Sequence, residues 1–143
     1  MKKLLCTALL LASCLTVSFG QCDKELKLST SKTEYLDGSG TVTKTVEENS
    51  IIEIGKSEIV IRPGNADHKM NGRIQSATCT WNTPYKEGKS VIKALFTDPS
   101  GDQKNATMTI EGKEGKVTFL MEIAELPERK IRVSVDSFEE KKI

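Results

Sequence analysis

Between residues 106 and 136, apolar and polar side chains alternate in three successive runs, with Leu120 the one exception. Ala106, Met108 and Ile110 oppose Thr107, Thr109 and Glu111; Val117, Phe119, Met121 and Ile123 alternate with Thr118, Leu120 and Glu122; Ile131, Val133 and Val135 alternate with Arg132, Ser134 and Asp136. A period of two places every second side chain on one face, so each run reads as a strand with one dry and one wet side. That pattern belongs to antiparallel sheets packed on one face, because strands buried on both faces read as continuous apolar runs. Turn-forming residues punctuate the chain at short intervals: Asp37-Gly38-Ser39-Gly40, Gly55-Lys56, Pro63-Gly64-Asn65, the segment 98–102, Gly112 to Gly115 and Pro127-Glu128. These supply the left-handed and preset turn conformations of hairpins.

Strands are accordingly predicted near 25–35, 41–47, 50–55, 57–62, 69–81, 89–98, 103–112, 115–123 and 129–138. Only residues 121–126 offer a turn of helix. Eight or nine strands joined by tight hairpins form an antiparallel meander. A meander of that size removes its exposed edges by curling closed. The expected fold is therefore all-β, an up-and-down barrel or half-barrel, with a two-sheet β-sandwich as the alternative.

The N-terminus sets the compartment. Met1-Lys2-Lys3 is positive, residues 4–19 carry no charge, and Ser18-Phe19-Gly20 offers small residues for a signal peptidase. This reads as a bacterial secretory signal peptide over residues 1–20, leaving residues 21–143 as a single β-barrel domain that is secreted or periplasmic. The sixteen apolar-run residues are fewer than a membrane span needs. Lipid attachment at Cys14 or Cys22, giving an outer-membrane lipoprotein, remains the alternative.

Without residues 1–20 the chain loses two lysines and no acids, so 21 basic residues become 19 against 20 acids, a net charge of −1. Neither that balance nor the single Trp81 favours nucleic acid. Two cysteines remain, Cys22 and Cys79, and in an oxidising compartment they read first as a disulfide. Lipidation of Cys22 would instead leave Cys79 a free thiol.

Catalytic chemistry finds no local motif. His68 is the only histidine, so neither a hydrolytic triad nor a multi-histidine zinc site can be assembled around it, and it reads as a solvated loop residue. The segment from Asp98 to Asp102 places oxygens at alternate positions, but Pro99 interrupts it and no clamping acid follows, so it reads as an Asx turn. Asn105-Ala106-Thr107 reads as ordinary strand. The acids are numerous and scattered; glycoside hydrolysis needs two carboxyl groups facing one another across a cleft, sequence does not show which of the 20 acids meet, and no local motif points to such a pair. No enzymatic activity, cofactor or metal is expected.

The stretch Leu26-Lys27-Leu28-Ser29-Thr30 running into Tyr35-Leu36-Asp37-Gly38-Ser39-Gly40, followed by a hairpin meander ending in Ile131 to Phe138, resembles the small exported lipocalin-like domains of bacteria. The resemblance covers most of the mature chain. It implies a barrel whose interior can hold a small apolar ligand.

One feature of the residues themselves fits that expectation. Lys44 lies between Val42 and Val46 on the face that alternation turns inward, while Tyr35, Met70, Trp81, Phe96, Met108, Phe119 and Met121 supply large or adaptable side chains elsewhere on the core face. Such a lysine would meet an anionic head group while the apolar set holds its tail. The competing reading makes Lys44 an inward charge that protects an edge strand, and the rest plain core. The expected function is thus a non-catalytic binding module for a small hydrophobic or amphipathic ligand. The alternative is a structural or protein-interaction domain of the cell envelope with a filled core.

Overall fold

The computed structural model describes residues 22, 24–64, 69–98 and 100–141. The proposed signal peptide, Cys14, His68 and Pro99 lie outside them. Among the described residues eight strands follow one another: β1 (Leu26–Leu36), β2 (Val42–Ile54), β3 (Glu58–Arg62), β4 (Met70–Thr83), β5 (Glu87–Thr97), β6 (Gln103–Lys113), β7 (Lys116–Ile123) and β8 (Lys130–Glu140). Each pairs antiparallel with the next, and β8 returns to β1, closing the barrel in an up-and-down order. The barrel reading holds, and the sandwich does not.

Eight strands replace the nine expected because residues 41–47 and 50–55 belong to one strand, β2. The polar Glu47-Glu48-Asn49 reads as a break in sequence, yet it is a β-bulge. Thr30 pairs with Ser50 and Lys32 with Glu47, so Ser31 alone stands opposite Glu48 and Asn49. The irregularity leaves Ser31 and Lys32 both exposed while Thr30 and Thr33 are both buried. The possible helical turn at 121–126 is likewise not formed: β7 runs through Ile123, and hydrogen-bonded turns follow, with Leu126 N–H donating to the Ile123 carbonyl at 3.0 Å.

Alternation fills the middle of the barrel. Leu28, Ile59, Met108 and Ile110 have no exposed surface, and burying one such side chain contributes about 1.5–3 kcal/mol. They meet in one cluster fed by every strand of the barrel except β2's lower half. Between β6 and β7, Glu114 and Gly115 both take positive φ, 54° and 78°, as a two-residue hairpin turn of matching twist requires.

The wall is uneven. β3 pairs with β2 only over 51–54 and with β4 only over 70–73. The remaining flank of β2 below Ile51, and that of β4 above Ile74, therefore has no described strand beside it.

Candidate functional site

The two ends of the barrel differ, and the difference places the candidate site. At the end holding the β4–β5 turn, the free flank of β4 is tied to the chain preceding β1 by a disulfide between Cys22 and Cys79, with a Cα–Cα distance of 5.7 Å. Trp81 lies beneath it and is buried. Its Nε1–H donates to Ser90 Oγ at 2.7 Å, and the Ser90 hydroxyl donates to Cys79 Sγ at 3.3 Å. Room for the indole comes from two glycines: a Cβ on Gly88 would sit 2.7 Å from Trp81 Cδ2, and one on Gly112 2.8 Å from Trp81 Cζ3. Tyr85, at φ 65° in the turn, packs edge-on against Phe138 with ring centroids 5.0 Å apart. Phe138 also meets Trp81 at 5.6 Å. Burial, reinforced by the nearby Glu140 charge, pushes the Tyr85 hydroxyl above the usual tyrosine range. This end is plugged.

The opposite end is open. Val42 to Thr45 are exposed there, on the stretch of β2 below Ile51 that has no described strand on its other flank. Against the inner face of the β1–β2 hairpin lies a cleft of about 480 Å³. Tyr35, Met121, Ile123, Leu126 and Ile131 form its apolar floor, and register explains the grouping: Tyr35 pairs with both Lys44 and Ile131, and Ile131 pairs with Met121. Lys44, Arg129 and Lys130 stand at its rim with Asp37 and Glu128.

The rim charges are not equivalent. Asp37 Oδ1 accepts from Ser39 N–H (2.9 Å), Ser39 Oγ (2.6 Å) and Thr41 N–H (3.0 Å). Those bonds hold its carboxyl below the usual carboxylate range, the Ser39 hydroxyl most of all. Lys130 Nζ lies 3.4 Å from Glu122, and Glu128 turns its carboxylate toward Gly38. Among the described residues, neither Lys44 nor Arg129 forms an ion pair. The cleft therefore combines an apolar floor with two cations that, among the described residues, have no ion-pair partner, although Asp37 and Glu128 line the same cleft.

The residues singled out from sequence separate on this geometry. Tyr35, Lys44 and Met121 come together in the cleft. Met70 and Phe96 lie toward the same end but do not line it: Met70 is 37% exposed, and Phe96 is buried against Gly72. Met108 and Phe119 are core, and Trp81 belongs to the plugged end. Sequence reasoning missed Ile123, Leu126, Arg129 and Ile131. Ile123 and Ile131 continue the alternation of their strands and were legible; Leu126 and Arg129 come from a loop and gave no signal.

The Asp98 turn repeats that of Asp37: Asp98 Oδ1 accepts from Ser100 N–H (3.0 Å), Ser100 Oγ (2.6 Å) and Asp102 N–H (2.9 Å). It is an Asx turn whose carboxylate is taken up by its own loop. Among the described residues no group of three His, Cys, Asp or Glu side chains is placed to hold a metal ion, and no helix is long and apolar enough to cross a membrane. No protein-family model matches the chain, and no curated protein or solved structure matches it either.

Proposed function

We propose that the chain is an exported, non-catalytic binding module of lipocalin-like build that takes a small amphipathic anion at its open mouth. The observation that carries this reading is the cleft itself: Met121, Ile123, Leu126 and Ile131 offer an apolar seat, and Lys44 and Arg129, which form no ion pair among the described residues, offer positive charge beside it. Mostly apolar concavities with a few placed polar groups are the usual form of small-molecule sites. Because the middle of the barrel is packed, such a ligand rests in the mouth rather than passing into the core. The disulfide and the absence of a long apolar helix among the described residues are compatible with a location outside the cytosol.

The test compares decanoate with decanol, two probes that share a tail and differ in head-group charge, by calorimetric titration of the disulfide-intact protein. Decanoate should bind more tightly, and Lys44→Glu should weaken it roughly tenfold, the equivalent of about 1.4 kcal/mol, while leaving decanol unchanged. Equal affinities for the two probes, or a Lys44→Glu variant that binds decanoate as well as the parent, would refute the anionic reading.

A second reading, a structural or protein-interaction domain of the cell envelope, is favoured by the packed barrel interior. A parent protein that binds neither probe would leave it standing in place of the first.

A further inference from the structure

The loop of residues 124–129, which joins β7 to β8, carries Leu126 and Arg129 into the mouth cleft. A second cleft of about 430 Å³, lined by Thr107, Ala124 and Pro127 and sharing Ile123, Arg129 and Lys130 with the first, lies along its other side. The loop thus has space on both sides, and its position depends on a few polar ties. Two of these are its own turns, Leu126 N–H to the Ile123 carbonyl and Arg129 N–H to the Leu126 carbonyl, each at 3.0 Å. Neither turn fixes the loop to the barrel.

Asn105, near the start of β6, supplies that connection. Its carbonyl accepts from Ala124 N–H at 2.8 Å, which extends the β6–β7 ladder by one step beyond Ile123. The ladder then ends, and a side chain takes over. Glu125 accepts from Asn105 N–H with both carboxylate oxygens (2.9 and 3.0 Å), and its Oε1 also accepts from Asn105 Nδ2–H at 2.9 Å. The carboxylate thus serves as the acceptor that a continuing strand would have provided through its backbone. On the far side the loop rests against the β1–β2 turn, where a Cβ on Gly38 would come within 3.1 Å of the Pro127 carbonyl oxygen.

We infer that Glu125 is a positioning residue: by latching onto Asn105 it sets the lip that presents Leu126 and Arg129 to a ligand in the mouth. This rests on the proposed binding function for its consequence, but the latch can be read without any ligand.

Amide exchange followed by NMR provides that readout. In Glu125→Ala the Leu126 and Arg129 amides should exchange at least tenfold faster than in the parent, with Met108 and Ile110 unchanged. Glu125→Gln, which keeps one acceptor oxygen for Asn105, should fall between them. Titration with decanoate then tests the consequence. Glu125→Ala should weaken binding about fivefold, Glu125→Gln should recover part of the loss, and Glu125→Ala should add nothing in a chain already carrying Leu126→Ala and Arg129→Ala. Unchanged exchange at Leu126 and Arg129 would overturn the latch, as would a fivefold loss that persists in the Leu126→Ala/Arg129→Ala background. A parent protein that binds neither decanoate nor decanol removes the binding function alone, and the exchange rates still decide the latch.

Discussion

Replacing Cys22 and Cys79 together by alanine tests how the plugged end is held. The bond joins residues 57 apart in sequence, and in the chain-entropy account closing a loop of that length restricts the unfolded chain by about 4 kcal/mol. The structure gives reason to expect much of that value. Cys79 sits on the part of β4 whose second flank has no described strand, and the disulfide brings the chain before β1 across that gap. Loss of the Ser90 hydroxyl's contact with Cys79 Sγ adds a smaller amount, because Ser90 still accepts from Trp81. For a domain of this size, about 4 kcal/mol lowers the melting temperature by about 15 °C. Urea unfolding of the parent and the double variant, followed by Trp81 fluorescence and circular dichroism, measures the difference directly. The midpoint should fall by the corresponding amount with both probes in agreement. A loss below about 1 kcal/mol would refute the reasoning, since the loop constraint would then have little part in stability.

Gly88→Ala should destabilise the fold by about 2–4 kcal/mol, because its φ is +150° and the new Cβ would sit 2.5 Å from both the Thr80 carbonyl oxygen and Trp81 Cα; thermal melts check it, and a neutral result would mean that the β4 backbone at Thr80 and Trp81 does not press on Gly88. Acid should weaken the fold. The Lys141 ammonium, with Arg62 beside it, holds Glu53 below the usual carboxylate range, and Asp37, Asp98 and Glu125 are held low by hydrogen bonds from Ser39, Ser100 and Asn105 respectively. A depressed folded-state pKa contributes stability that is complete above the unfolded value near pH 4 and is lost as pH falls through the folded one. Glu53→Gln should therefore flatten the acid limb of a stability-against-pH profile, and an unchanged limb would count against the pairing.

Much of the barrel was legible because most of its strands bury one face. Ala106, Met108 and Ile110 alternate in sequence and are all buried in the structure, so the period-two rule located β6 almost to its ends. The rule failed where the inward face is polar. Thr30, Thr33 and Ser50 are buried hydroxyl residues on either side of a bulge, and without an apolar period to follow, β2 looked like two strands. The mouth was half legible for a similar reason. Tyr35, Lys44 and Met121 lie at predictable positions on strand faces, and cross-strand register brought them together. Leu126 and Arg129 arrive on a loop whose course depends on a contact between Glu125 and Asn105, twenty residues apart, and local pattern carries no information about such a contact. Sequence also could not separate a seat in the mouth from a hollow interior, because the volume left between packed side chains is set by all eight strands at once.

The last seam of the cylinder joins β1 to β8, strands far apart in sequence. Leu26 lies beside Glu140, and Tyr35 beside Ile131. A chain emerging from the ribosome cannot complete this circle until β8 is free, and until then β1 and β7 each keep a bare hydrogen-bonding edge. Contacts that span so much sequence cost loop-closure entropy before they are rewarded, so this seam depends on a long-distance closure. Removing β8 would leave an open, self-associating sheet rather than a slightly shorter barrel.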